Sequence, residues 1–295
     1  MSDRKEVVTM AHGSGGRAMQ QMIEQMFISA FDNPWLNERE DGARLSLASL
    51  SAQGDRLAFT TDSYVIDPIF FPGGNIGKLA VCGTANDLAV CGATPAYLSC
   101  GFILEEGLAL DDLQKIVSAM AQTAHAAGIA IVTGDTKVVQ RGAADKIFIN
   151  TAGIGVIPTA VNWAAGTIKA GDKVIVSGTL GDHGAAILNL REKLGMDLGV
   201  ESDCAVLAPM IAPLRPLAGV HALRDATRGG VNAILHEFSA ASGFGISIDE
   251  IALPVKPAVR GICELLGLEP LNFANEGKLV IVVSDRAEEQ VLNLL

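Results

Sequence analysis

The segment 75–91 restricts the fold more than any other feature of the sequence. It has the length of a helix and is apolar almost all round, so other elements have to cover it on every side. Asp87 lies within this segment. A carboxylate on such a surface is costly unless a cation or several hydrogen-bond donors meet it. We therefore predict a buried helix that carries an acid with a special role.

Strand and helix patterns alternate around this helix, which predicts an α/β fold. The predicted strands lie at 57–66, 129–133, 146–157, 173–177 and 278–284. The alternation restarts after 162–171, the best candidate for a linker, and a chain of 295 residues favours two domains. We predict an N-terminal glycine-loop extension, a first domain and a second domain, at 1–44, 45–168 and 169–295.

Apolar stripes assign two further helices. In the extension, one helical face carries Met19, Met22, Ile23, Met26, Phe27 and Ala30. This face is expected to pack against the core or another subunit, the alternative being a Met-rich ligand surface. A second amphipathic helix is predicted to be capped by Asp111 and closed by Gly128.

Charge and cysteine content narrow the class of protein. Lys and Arg total 22 against 33 Asp and Glu, and the net charge of -11 disfavours binding to nucleic acid. A small nucleotide remains possible if a divalent cation screens its phosphates. The five cysteines form no C-x-x-C pair, and their odd number suggests reduced thiols. Neither an apolar leader nor a membrane-length apolar run is present, so we expect a cytoplasmic protein.

The end of the sequence suggests a truncated chain. Residues 286–295 begin an amphipathic helix, and the sequence stops before any cap or turn signal. We therefore expect the second domain to lack its C-terminal end.

Four aspartates occupy unusual positions for surface acids. Asp62 closes the run 58–62, Asp87 lies in the buried helix, Asp135 follows a strand, and Asp225 lies in a turn rich in glycine. Carboxylates that share one cleft repel each other, and a divalent metal removes the repulsion. Oxygen ligands select Mg²⁺, which commonly bridges to nucleotide phosphates. The alternative for each aspartate alone is a helix cap or a local turn.

A predicted turn at 134–137 follows the strand 129–133, and its Lys137 is a candidate to neutralise a phosphate or an oxyanion. The alternative is a solvated loop lysine. Glycine-rich turns at 12–16, 178–184 and 227–230 precede helices and offer backbone N–H groups to phosphates, although none is a Walker loop. Glu276, between Asn275 and Gly277, is a candidate general base or an exposed turn residue. His183 is expected to be structural or to face a substrate.

Together these motifs resemble one superfamily. They are Thr60-Thr61-Asp62-Ser63, Asn86-Asp87-Leu88-Ala89-Val90, Gly134-Asp135-Thr136-Lys137-Val138-Val139 and Asp225-Ala226-Thr227-Arg228-Gly229-Gly230. Their order is similar to that of the aminoimidazole-ribonucleotide-synthetase-like (PurM-like) superfamily. The sequences at 12–17, 177–184 and 275–278 resemble its HypE family of hydrogenase maturation factors.

The resemblance implies two PurM-like α/β domains and a homodimer in which the mixed N-terminal sheets close a barrel between subunits. It implies ATP held through Mg²⁺ by Asp62, Asp87 and Asp225. It also implies nucleotide contacts at Gly15, Gly16, Gly134, Asp135, Thr136, Lys137 and Asn150.

The implied activity is an ATP-dependent dehydration, by a carbamoyl dehydratase, of a C-terminal S-carbamoyl cysteine to a thiocyanate. This is the source of the cyanide ligands of [NiFe]-hydrogenase. The implied partners are the carbamoyltransferase HypF and the HypC–HypD complex. Glu276 is predicted as the base and Lys137 as the group that stabilises oxygen or phosphate, with His183 and Arg228 as further catalytic candidates.

One departure from the family concerns the tail, which in HypE ends in Pro-Arg-Ile-Cys. None of the five cysteines here is terminal. We therefore expect this sequence to bind Mg-ATP without completing its own carbamoylation cycle. The alternatives are another enzyme of the superfamily, such as selenophosphate synthetase, and a scaffold that binds nucleotide without turnover.

Overall fold

Short helices form the N-terminal part of the protein. The structure is a computed structural model and describes residues 6–196 and 199–295. After a 3-10 turn at Met10–Gly13 come α1 Arg17–Met22, a π-helical segment Ile23–Ile28, α2 Ser29–Phe31, α3 Pro34–Asn37 and α4 Leu47–Ser51. The predicted stripe packs on the core as expected, with Met22 and Phe27 buried and Met26 against them.

A mixed sheet carries the first half of the chain. Its elements are β1 Arg56–Tyr64, β2 Phe70–Phe71, β3 Gly74–Asn75, α5 Ile76–Val90, β4 Thr94–Glu105, α6 Leu110–Ala126, β5 Ala130–Val139 and β6 Ile147–Ile157. The main sheet has the order β1-β6-β4-β5, in which β4 and β5 are parallel and the other pairs antiparallel. The strands β2 and β3 form a small hairpin.

The second half repeats the combination of helices and sheet on a smaller scale. Its elements are β7 Lys173–Val176, α7 Asp182–Arg191, α8 Ala208–Ile211, β8 Val220–Asp225, α9 Gly230–Ser242, α10 Pro257–Leu266, β9 Leu279–Val283 and α11 Glu288–Leu292. Short 3-10 turns lie at Ala165–Thr167, Ala212–Leu214, Glu250–Ala252, Pro270–Asn272 and Asp285–Ala287. The strands form an antiparallel sheet in the order β7-β9-β8.

The helix α5 confirms the prediction of a helix buried on all sides. Asn75 caps it, since its Oδ1 accepts from the backbone N–H groups of Gly77 and Lys78 at 2.9 and 3.0 Å, a bond set worth about 1 kcal/mol. The helix contacts β1, β6 and α6 of its own half, and also α8 and β8 of the other. The elements that position a site between the two halves are therefore tied to one helix.

Three local predictions are wrong. Asp111 does not cap α6, because Ala109 is the N-cap; Asp111 lies in the first turn, where its charge still favours the positive end of the helix. The strand 129–133 does not end there, because β5 pairs with β4 as far as Val139. Asp62 lies inside β1 rather than at its end. As predicted, Gly128 closes α6 with a φ of 69°.

Side chains of β1 alternate between the two faces of the main sheet. Thr60 and Tyr64 hydrogen-bond to residues of α5, so Asp62 also faces that side. Thr61 and Ser63 face the opposite, open side of the sheet. Among the described residues, no helix is long and apolar enough to span a bilayer.

Candidate active site

A cleft of about 850 Å³ lies between the two halves of the chain. Strand β1 and helix α5 form one wall, and the other consists of one face of α7, the turn after β8 and residues 268–276. Six of the predicted site residues border it, namely Asp62, Asp87, His183, Asp225, Arg228 and Glu276. The structure thus brings acids from distant parts of the sequence to one cavity.

The three predicted metal ligands come from three elements. Asp87 projects from α5, and its Oδ2 accepts a hydrogen bond from the hydroxyl of Thr60 at 2.9 Å. The carboxylate of Asp62 accepts from the N–H of Ser63 at 2.7 Å. Asp225 is the last residue of β8 and is partly buried.

Burial and mutual repulsion make these acids reluctant to ionise together. Burial, and then the charge of Asp87, raise the pKa of Asp225 to about 7. Burial also raises the pKa of Asp87, with the charge of Asp62 in the same direction and the bond from Thr60 opposing it. The pKa of Glu276 lies well above its ordinary value because of burial and then the charge of Asp225. A cation in the cleft would relieve the repulsion.

The donor set fits a hard divalent cation that other ligands also hold. Carboxylate oxygens suit Mg²⁺, which usually keeps several waters and binds one or two carboxylates together with phosphate oxygens. Within 6–196 and 199–295, no three His, Cys, Asp or Glu side chains are close enough to hold a metal by themselves. The shared cleft and the raised pKa values of Asp87 and Asp225 are the features that fit such an ion.

Two buried asparagines, which the sequence motifs contain but to which no role was assigned, hold the segments that carry the acids in place. Asn86 donates to the carbonyl of Ala205 at 2.9 Å and accepts from the N–H of Leu207 at 2.7 Å, which joins α5 to the second half. Asn275 accepts from the N–H of Gly181 at 2.7 Å. Each directly precedes a cleft acid, Asp87 or Glu276. The signal available in the sequence was an asparagine in an apolar surrounding immediately before a candidate acid.

Glu276 is further positioned through its backbone. Its N–H donates to the carboxylate of Asp203 at 3.0 Å, and its carbonyl accepts from the N–H of Ala205 at 3.3 Å. Glu276 is thus partly buried rather than an exposed turn residue. A carboxyl whose pKa is raised by burial suits proton transfer.

His183 and Arg228 border the cleft in different ways. His183 is buried, its Nδ1 lies 2.8 Å from the Ser202 hydroxyl, and its ring packs edge-on against Phe71. Burial, and then the charge of Arg191, lower its pKa to about 4, so the imidazole is neutral at neutral pH. Arg228 is exposed in the turn before α9 and offers a free positive charge to an anionic ligand.

Tyr64 is a cleft residue that the sequence reasoning did not single out. Its hydroxyl lies 3.2 Å from that of Thr84, which in turn lies 2.5 Å from that of Thr151. Burial, and then the charge of Asp62, hold the pKa of Tyr64 well above its ordinary value, so it remains a neutral phenol.

The predicted nucleotide turn is not a turn and does not border the cleft. Gly134, Asp135, Thr136 and Lys137 lie within β5, because β4 pairs with this stretch in register. Lys137 Nζ is 2.5 Å from Asp135 Oδ2, and both side chains are about two-thirds exposed. The hydrogen bond from Lys137 lowers the pKa of Asp135. A second cavity, of about 1250 Å³, lies between 134–136 and the N-terminal helices.

The remaining predicted nucleotide residues lie outside both cavities. Asn150 is on the open face of the sheet, where its amide donates at 2.9 Å to the carbonyl of Asp62 and the hydroxyl of Ser63. Gly15 and Gly16 form an exposed turn, and Gly16 is the N-cap of α1. The other two glycine turns precede α7 and α9 as predicted, with Gly181 and Gly229 as left-handed N-caps.

Comparisons with known proteins agree along the whole chain. Two family models match it, the AIR synthase related protein N-terminal domain over residues 39–157 and the C-terminal domain over residues 169–295. Carbamoyl dehydratase HypE of Escherichia coli (strain K12) is 70% identical over 288 residues, which cover 98% of this chain and 86% of the relative.

Two solved structures are also similar. The hydrogenase maturation protein HypE in complex with ATP has a TM-score of 0.91 and 46% identity, covering 97% of this chain and 84% of that one. A chain of the HypE–HypF complex has a TM-score of 0.80 and 47% identity, covering 92% of this chain and 87% of that one.

Proposed function

This chain belongs to the carbamoyl dehydratase HypE family of AIR synthase related proteins, and from that premise we propose that it dehydrates an S-carbamoyl cysteine to a thiocyanate at the expense of ATP. The thiocyanate would supply the cyanide ligands needed in [NiFe]-hydrogenase maturation. The observation that carries this proposal is the cleft in which Asp62 and Asp87 from one half face Asp225 and Glu276 from the other.

Asp62, Asp87 and Asp225 would hold Mg²⁺ in this cleft. The ion would neutralise the charge of the ATP phosphates, and phosphate oxygens and water would complete its coordination. The raised pKa values of Asp87 and Asp225 support this assignment, because these carboxyls gain most from a neighbouring cation. ATP binding to a similar HypE structure supports the choice of nucleotide.

Other proposed nucleotide contacts approach from outside the cleft. They are Gly15, Gly16, Gly134, Asp135, Thr136, Lys137 and Asn150. The amide of Asn150 donates a hydrogen bond to the backbone carbonyl of Asp62, so it links the open face of the sheet to the proposed metal site. Lys137 would leave Asp135 to pair with negative charge on the nucleotide or on the reacting oxygen.

The reaction needs a poor leaving group to be converted into a good one. Transfer of the γ-phosphoryl group to the carbamoyl oxygen makes that oxygen part of a departing phosphate. The amide nitrogen loses two protons in all, and as the last one leaves, the C–O bond breaks and the C≡N bond forms. Glu276 would take a proton from nitrogen, since its raised pKa makes it a stronger base than a solvated glutamate.

Two cleft residues would assist Glu276. Arg228 would bind the departing phosphate through its exposed guanidinium. His183 would act as a neutral hydrogen-bonding group, because its pKa of about 4 leaves it uncharged when Glu276 works. Neither residue is required to carry the proton that Glu276 removes.

We also propose a homodimer in which two main sheets close a barrel. Three apolar side chains on or beside the open face of the sheet are exposed, Leu57 by 54%, Phe59 by 73% and Ile103 by 41%. A second copy would cover them. Sedimentation of wild type and of Phe59→Asp would test this, with a shift of the variant to monomer expected.

The proposed partners follow from the function and act in the cytoplasm. HypF would donate the carbamoyl group, a proposal supported by the similar chain of a HypE–HypF complex. The HypC–HypD complex would accept the cyanide.

The decisive experiment supplies the substrate group on a peptide. Wild-type protein, Mg-ATP and a synthetic peptide that ends in S-carbamoylcysteine should give ATP-dependent loss of one water from the peptide, detected by mass spectrometry and by the nitrile infrared band. Asp87→Asn should lose this activity. Asp112→Asn, an exposed acid of α6 paired with Lys115, should keep it. Absence of both nitrile and phosphate release in wild type that still binds nucleotide would favour the scaffold alternative. Equal phosphate release by wild type and Asp87→Asn would remove Asp87 from the metal site.

A further inference from the structure

Tyr64 borders the cleft, and its hydroxyl occupies the space that Gly83 leaves by having no side chain. Both Tyr64 and Gly83 border the cavity, and a Cβ on residue 83 would overlap the tyrosine oxygen. Gly83 lies one helical turn before Asp87 on α5. Tyr64 therefore lines the same cavity as the proposed metal and base residues. Burial, and then the charges of Asp62, Asp87 and Glu276, raise its pKa.

A chain of hydroxyl groups fixes the direction of the Tyr64 hydrogen bond. Thr151 Oγ1 lies 3.2 Å from the carbonyl oxygen of Ala80, which can only accept, so Thr151 donates there. Each hydroxyl has one hydrogen. The bond of 2.5 Å between Thr84 and Thr151 must then use the hydrogen of Thr84. The bond of 3.2 Å between Tyr64 and Thr84 must use that of Tyr64.

The phenol oxygen consequently offers only lone pairs to the cleft. An incoming group that meets it has to bring a hydrogen-bond donor. Asp62, Asp87 and Glu276 around it are acceptors when ionised, so they compete for donors instead of supplying them. A ligand with two N–H bonds on one nitrogen can satisfy both Tyr64 and Glu276.

On the basis of the function proposed above, we propose that Tyr64 determines specificity by accepting a hydrogen bond from the –NH2 of the S-carbamoyl group. One N–H is held by an oxygen too weakly basic to remove its proton, and the other is presented to Glu276. A thioester such as S-acetylcysteine has a methyl group at this position. It would leave the buried phenol oxygen without a partner, which penalises its binding.

Binding of two matched peptides tests this inference. Peptides that end in S-carbamoylcysteine or S-acetylcysteine compete for the protein in the presence of Mg²⁺ and a non-hydrolysable ATP analogue. Wild type should prefer the carbamoyl peptide by on the order of tenfold. Tyr64→Phe, which keeps the ring and removes the oxygen, should reduce this preference several-fold, leaving only the part that the second N–H gains at Glu276.

Variants of Thr84 test the direction of the hydroxyl chain. Thr84→Val removes the acceptor that holds the tyrosine hydrogen, so the preference for the carbamoyl peptide should shrink. Thr84→Ser keeps a hydroxyl and should retain the preference. In the Tyr64→Phe background, Thr84→Val should change the preference no further.

The outcomes separate this inference from the proposed function. A carbamoyl preference that is as large in Tyr64→Phe as in wild type, or wild type without any preference, overturns the role of Tyr64, while nitrile formation by wild type still upholds the dehydratase. A preference that depends on Tyr64, in a wild type that forms no nitrile with ATP, supports the recognition and overturns the dehydratase.

Discussion

Asp225 in the cleft and Asp135 on β5 carry the same side chain in opposite surroundings. Asp225 is partly buried among acids, and its pKa is raised to about 7. Asp135 is two-thirds exposed and bonded to Lys137, and its pKa is lowered. The Asp225 carboxylate needs a bound cation or hydrogen-bond donors to be stable in its ionised form. The Asp135 carboxylate is already paired with Lys137. Unmet charge therefore distinguishes the candidate catalytic centre from an ordinary polar strand edge.

Glu276→Gln sharpens this comparison with the largest expected effect. The amide has the same shape but cannot take a proton, so nitrile formation should fall by about 10²–10⁴-fold. Affinity for Mg-ATP should change little, because Glu276 is not proposed to contact the metal. Single-turnover nitrile formation and nucleotide binding measure the two effects.

Glu264→Gln provides the matched control for that experiment. Glu264 is an exposed residue of α10, and its replacement should leave the rate unchanged. A Glu276→Gln enzyme that retains the wild-type rate would remove Glu276 from the role of base.

Asp225→Asn tests the unmet charge through stability and pH. With its pKa raised from 3.8 to about 7 in the folded state, Asp225 is protonated in both states below about pH 4 and ionised in both above about pH 7. Between these values the unfolded chain loses its proton first, so the free energy of unfolding falls as pH rises. In metal-free protein above about pH 7, Asp225→Asn should therefore be more stable by about 2–4 kcal/mol.

Denaturant unfolding at several pH values checks the effect of Asp225→Asn. The difference from wild type should shrink as the pH falls toward about 4. Added Mg²⁺ and a nucleotide analogue should stabilise wild type more than the variant, because ligand binding favours the folded state that holds it. A variant less stable than metal-free wild type above about pH 7 would contradict the burial of an unmet charge.

Substitution of two glycines, Gly83 at the cleft and Gly101 on the open face of the sheet, compares how tightly these two regions are packed. A Cβ at Gly83 overlaps the hydroxyl of Tyr64, whereas the nearest atom to a Cβ at Gly101 is 3.8 Å away. We expect Gly83→Ala to cost about 1–3 kcal/mol and Gly101→Ala to stay within about 0.5 kcal/mol of wild type. Thermal unfolding measures both, and equal losses would mean that the cleft wall is not tightly packed.

The sequence was informative where one pattern decided the structure. The apolar content of 76–90 was sufficient to predict α5 and its burial. Asp87 and Asp225 could be expected to lie close together, because a shared cation reduces the free energy needed to bury each carboxylate. The cleft confirms that Asp62, Asp87 and Asp225 share one cavity.

Long-range pairing decided what the sequence could not. Gly134 and Asp135 are typical turn residues, but parallel pairing with β4 keeps them in a strand. The structural role of Asn86 could not be predicted, because its hydrogen-bond partners, Ala205 and Leu207, lie 119 and 121 residues away in the sequence. The sequence also does not reveal that Asn150 donates to the hydroxyl of Ser63 and to the backbone carbonyl of Asp62, two residues that both border the cleft.

The pair of Asp135 and Lys137 gives the smallest expected effect on stability and the sharpest test of the strand edge. Because both side chains are exposed, their coupling in a double-mutant cycle of Asp135→Asn and Lys137→Met should stay below about 1 kcal/mol and fall with added salt.

If the proposed nucleotide contact is correct, Lys137→Met should nevertheless weaken ATP binding or slow nitrile formation, because the charge of Lys137 then serves the ligand rather than the fold. Lys115→Met, an exposed lysine of α6 paired with Asp112, supplies the control. Equal nucleotide affinity and equal rates in both lysine variants would leave Lys137 as a surface ion pair, and the chemistry would then belong to the cleft alone.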